Sequence, residues 1–156
     1  MSALLGVDVG LHTGLALYGP DGRLAWYRSQ HFGNMARLRR GIHGLLEEHP
    51  EITRLVLEGG GPIAEAWARE AERRGLAVRR INAERWRALF FIPSEHTDRD
   101  RAKRSAATLA RRVIAWSGAK RPTALRHDAA EAILIGLWGV LDAGWLDQPP
   151  PRESLA

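Results

Sequence analysis

The chain opens with apolar runs set too close together for a helix to come between them. Residues 4–9 (LLGVDV) read as a continuous buried strand. Gly10 to Thr13 make a turn, residues 14–18 (GLALY) a second strand, and Gly19-Pro20-Asp21-Gly22 another turn before a third strand at 24–30. Parallel neighbours need a crossover of about a dozen residues, so connections this short force an antiparallel meander. The pattern then changes. Met35, Leu38, Ile42, Leu45 and Leu46 recur at helical spacing, and 54–58 (RLVLE) reads as a fourth strand. Gly59-Gly60-Gly61 is a flexible junction, and Pro62 suits the first position of a helix that buries Ile63, Ala66 and Trp67. A fifth strand at 76–81 and a short helix at 83–91 follow. A polar loop over 93–100 leads into a long helix at 101–117, with Ala106, Leu109, Ala110, Val113 and Ile114 inward, and a last helix covers 127–143. This order predicts an α/β fold: a mixed five-stranded sheet flanked by helices, in one domain over residues 1–147. The tail QPPPRESLA, 148–156, reads as disordered.

Carboxylates stand in unusual places within that frame. Asp8 lies inside the first strand and Glu58 ends the fourth, each among Leu and Val. Asp128 and Glu131 open the apolar last helix, three residues apart and so on one face. A buried carboxylate is costly unless it is paired, protonated or bound to a cation. No Lys or Arg adjoins these acids within the apolar runs, which points to divalent cations such as Mg²⁺, or Mn²⁺ in its place. The formal charge of +5 and pI near 10.6 come mostly from Arg, suited to bidentate phosphate contacts. Acids in a basic protein point to metal-dependent chemistry on a phosphodiester backbone. With no cysteine, disulfides, thiol chemistry and Cys-ligated zinc are excluded. No apolar run approaches the ~20 residues that span a bilayer. MSALLGVDVG has no basic region or cleavage site, so a cytoplasmic location is expected.

GVDVGLHTGLAL, LVLEGGG and HDAAEAILIGLWG, in that order and setting, carry a family likeness. The chain resembles RuvC-type Holliday-junction resolvases of the RNase H-like superfamily, in particular the divergent phage-type branch, over residues 4–141. That family places one Asp in its first strand, one Glu at the end of its fourth, and an acid-x-x-acid pair at the start of its last helix. Asp8, Glu58, Asp128 and Glu131 match those positions. The resemblance implies a homodimer that cuts four-way DNA junctions with paired nicks. It also implies hydrolysis with two metal ions per site, one activating water and one stabilising the leaving oxygen. Lys103 stands where the family carries a lysine at the start of the long helix. The chain departs from the family twice. Glu131 replaces the usual Asp, and Gly61 stands where cellular members carry an aromatic used at the junction. Trp67 and Phe90–Phe91 are the candidates to replace that ring.

Further candidates surround these. His127 adjoins the acid pair as a ligand or proton donor; His12, beyond the first strand, and His96, in the polar loop, come after it. Arg99, Arg101, Lys103 and Arg104, continued by Arg111 and Arg112, form a basic stripe opposite the apolar face of the long helix. Trp86, between Arg85 and Arg87, is the candidate aromatic DNA contact, while Trp116 and Trp138 read as core. Each residue also has a plain structural reading. Asp8 would be a turn residue, Glu58 an acceptor for the next helix N-terminus, Asp128 and Glu131 partners of a helix dipole, and the Arg stripe a solvated face. Alternative activities are a related nuclease for flaps, other branched DNA or RNA, as in YqgF-type proteins, and a non-catalytic junction-binding protein. The motif GVDVGLHTG is also similar to the first phosphate loop of actin-like ATPases and sugar kinases, but those need a second half that 156 residues do not hold.

Overall fold

The computed structural model describes residues 2–91 and 98–151. Its strands are β1 (Ala3–Asp8), β2 (His12–Tyr18), β3 (Leu24–His31), β4 (Ile52–Glu58) and β5 (Ala77–Ile81). Its described helices are α1 (Met35–Glu48), α2 (Gly61–Arg73), α3 (Ala83–Phe90), α4 (Arg99–Ser117) and α5 (His127–Asp142). The strands form one sheet in the order β3-β2-β1-β4-β5, with β1–β2–β3 antiparallel and β4 and β5 parallel to β1. Boundaries move slightly from the sequence reading. β2 starts at His12, because the Thr13 hydroxyl closes the turn onto the Gly10 carbonyl at 2.6 Å and lets His12 pair with His31. α4 starts at Arg99, because the Asp98 side chain accepts hydrogen bonds from the Asp100 and Arg101 amides. Of the polar loop, residues 93–97, His96 among them, lie outside the described residues. Of the tail expected to be disordered, 148–151 are described and Pro150 is buried; 152–156 lie outside.

Alternation along the strands divides the core in two. Leu5, Val7, Leu15, Leu17, Leu55 and Leu57 face α1 and α2. Leu4, Ala16, Tyr18 and Val56 face α3, α4 and α5. α5 is buried nearly all round, from Ala129 to Val140, which matches its uninterrupted apolar sequence. It presses onto the sheet through glycines. A Cβ on Gly6 would stand 2.6 Å from the Gly136 amide, and one on Gly14 only 1.9 Å from the Asp128 carbonyl. A Cβ on Gly136 would meet the Tyr18 ring, whose hydroxyl donates to the Ile133 carbonyl at 2.5 Å. These contacts fix how deep and how far along the sheet α5 lies. They set its first turn beside the end of β1. No described helix is long and apolar enough to cross a membrane.

Candidate active site

Asp8 and Glu58 end adjacent parallel strands and are partners in register, so both carboxylates leave the sheet on the α5 side. Glu131 descends from α5 to meet them and is 8% exposed. One carboxylate oxygen from each of Asp8, Glu58 and Glu131 lies within 4.8 Å of the others. Gly14, the antiparallel partner of Asp8, is where the first turn of α5 approaches most closely. The sheet ends, the register and a missing Cβ together assemble this triad.

Its electrostatics are unbalanced. Burial, then the charges of Glu131 and Glu58, a hydrogen bond to Glu58, and Asp128, push Asp8 up to about 9. Glu58 is also raised, by burial and then by Glu131; its hydrogen bond with Asp8 and the Arg87 charge oppose this. At neutral pH the hydrogen-bonded Asp8–Glu58 pair therefore retains a proton between its two carboxylates. Among the described residues, the basic groups that reach Glu131 are His127, with Nε2 at 2.9 Å, and Arg87, with Nη2 at 3.5 Å. Three oxygen donors with too little positive charge suit a hard divalent cation, which would displace the Asp8 proton.

Asp128 stands apart from the triad. Its carboxylate accepts from Ser29 Oγ on β3 and from the Ala129 amide, each at 2.8 Å. It still acts on Asp8 through its charge. Beside the triad, a cleft of about 390 Å³ is lined by Arg87, Arg99, Ala102, Lys103, His127 and Glu131. The basic stripe is thus divided. Arg99 and Lys103 face the acids, whereas Arg101 and Arg104 line a separate cleft with Phe90, Phe91 and Arg112.

The aromatic expectations need correction. Trp86 is fully buried, with Phe91 edge-on at 5.6 Å, and so presents no face to DNA. Flanking arginines suggest an exposed ring, but α3 turns the indole into the core, and the Arg87 guanidinium lies 5.2 Å from its ring on the way to Glu131. Trp67 is fully buried and Phe90 and Phe91 are 7% exposed, so none of them is a free stacking surface near Gly61. Trp138 is core, while Trp116 is half-buried under the Arg23 guanidinium.

Arg87, Ser29 and Gly14 escaped the sequence reading as site residues. Arg87 is half-buried, reaches Glu131, and has an Nε atom with no hydrogen-bond partner among the described residues. Nothing in AERWRALF separates Arg87 from Arg85. Gly14 directly follows the Gly10–Thr13 turn, and the sequence marks it only as the start of a strand.

No protein-family model matches the sequence, and no curated protein matches it. The structure is similar to that of T. thermophilus RuvC in complex with Holliday junction substrate, at TM-score 0.64 and 13% identity, over 92% of this chain and 96% of that one. The fold is RNase H-like. At that identity the likeness covers the fold and leaves the chemistry to be argued from the site.

Proposed function

We propose that this chain is a divalent-metal-dependent endodeoxyribonuclease that resolves four-way DNA junctions by phosphodiester hydrolysis, acting as a homodimer so that two sites make paired nicks. The observation that carries this is the convergence of Asp8, Glu58 and Glu131 beside a cleft lined by Arg87, Arg99 and Lys103. Acids that hold a cation and bases that hold a phosphate thus share one opening. The similar structure, T. thermophilus RuvC with a Holliday junction, supports four-way DNA as the substrate.

Asp8, Glu58 and Glu131 would hold Mg²⁺ or Mn²⁺, with Asp128 the fourth acid at the margin; two ions per site are part of the proposal. A bound ion would polarise the scissile phosphate and lower the pKa of the attacking water. The protein's own groups do the rest. Arg87, Arg99 and Lys103 orient the phosphate and oppose the charge that builds on it. His127, exposed to the cleft and 2.9 Å from Glu131, is placed to pass a proton to the leaving oxygen. Ser29 keeps the Asp128 carboxylate turned toward β3.

The test is incubation of end-labelled four-way junction, flap, duplex and single-stranded RNA with Mg²⁺ or Mn²⁺, with an Asp8→Asn variant alongside. Paired symmetric nicks in the junction, absent in the variant, are expected. Cutting of flap or RNA alone would reassign the substrate, and junction binding without cutting would refute the nuclease.

A further inference from the structure

Two histidine rings stand exposed on the sheet beside the acids, and the hydrolytic site does not use them. His12 begins β2 and His31 ends β3, and they are direct partners across the antiparallel pair. Their rings stack, with centroids 3.9 Å apart and planes 11° from parallel. Both residues are exposed. Alternation puts them on the face that carries Asp8: the next pair on that face, two positions down the same strands, is Gly14 and Ser29, which meet the Asp128 carbonyl and carboxylate. α5 begins at that level, so the rings lie past its first turn on an edge strand and its neighbour. Two pairs further down, Tyr27 donates to the Lys120 carbonyl at 2.5 Å. This hydrogen bond ties the loop carrying Lys120, Arg121 and Arg126 to the same side of the sheet.

An exposed cross-strand pair adds little to stability, and burial does not explain two rings held face to face in water. Imidazole is an aromatic platform on which bases stack, and such stacking is indifferent to base identity. We infer that the His12–His31 pair is a base-stacking surface that receives an unpaired base of the DNA strand entering the acidic site. The inference rests on the proposed nuclease reading and names a feature of its substrate: a base free of its partner next to the bond to be cut. The flat outer ring faces take the base, and the basic loop offers charge to its phosphate.

The experiment measures affinity in Ca²⁺ for a fixed four-way junction and for the matching duplex. The proteins are wild type, His12→Ala, His31→Ala, and the Phe versions of each, and thermal midpoints confirm folding. The junction is also made with abasic sites flanking the branch point. Wild type should prefer the junction. Either alanine should weaken junction binding about tenfold with little change for duplex, Phe should restore it, and abasic junction should weaken wild type but not the alanine variants further. Unchanged junction affinity in both alanine variants would overturn the stacking surface and leave the nuclease standing. Loss in Phe equal to that in Ala would also overturn it, since the contact would then run through the ring N–H. No preference of wild type for junction over duplex would sink the junction reading, and this inference with it.

Discussion

Asp8 decides most of what this site does. Folded Asp8 keeps its proton up to about 9, while a free Asp carboxyl ionises near 3.8. Between those values the folded state binds more protons than the unfolded one, so stability without metal falls as pH rises through that interval. Glu58, also raised, adds in the same direction. The thermal midpoint in EDTA should therefore drop from about pH 5 to about pH 8. Asp8→Asn should flatten that slope, raise the midpoint at the alkaline end and abolish cleavage; a steeper slope in the variant would contradict the assignment. Arg87 acts from the other side. Arg87→Ala removes a charge that reaches Glu131 and opposes the rise in Glu58. It should lower kcat on junction DNA about a hundredfold with little change in KM, read in single-turnover and steady-state assays. A pure rise in KM would make Arg87 a binding residue only.

At the scale of elements, the close approach of α5 to β1 and β2 brings the acids together. Gly14→Ala would put a methyl group into the Asp128 carbonyl, with backbone on both sides. It should cost about 1–3 kcal/mol in chemical denaturation and reduce cleavage more than stability alone explains, because the first turn of α5 must move. Trp86→Phe tests the core assignment of that ring: a loss of stability with unchanged DNA affinity is expected, and a selective loss of affinity would restore Trp86 to the interface. The strands and helices were legible in the sequence because periodicity and tight turns state them locally. The acids were legible because Asp8 and Glu58 break apolar runs. The separation of Asp128 from the triad was not, since helical spacing puts residues 128 and 131 on one face, whereas the Ser29 hydroxyl, brought in by β3, and the Ala129 amide hold the Asp128 carboxylate aside. Trp86 is core and Arg87 belongs to the site, because a helix turns consecutive side chains in different directions and no local signal says which direction is core. The His12–His31 stack is likewise a product of strand register.

For the whole molecule, charge is the organising quantity. A net charge of +5 on a chain that brings three of its 18 acids together in one place gives a basic body with a local acidic centre. Under the proposed function, such a body would draw in a polyanion, and a bound cation would let it approach the acids. DNA affinity should fall steeply with salt, and Lys103→Ala or Arg99→Ala should each reduce the slope of log K against log salt by about one if that side chain meets a phosphate. An unchanged slope would place the side chain off the DNA path. The most direct test of the central claim is calorimetric titration of Mn²⁺ into wild-type protein near neutral pH, in two buffers of different ionisation enthalpy. Binding accompanied by release of about one proton is predicted, with both lost in Asp8→Asn and the affinity weakened in Glu58→Gln and Glu131→Gln. Absence of Mn²⁺ binding, or binding that Asp8→Asn leaves intact, would mean that the three converging carboxylates are not a metal site.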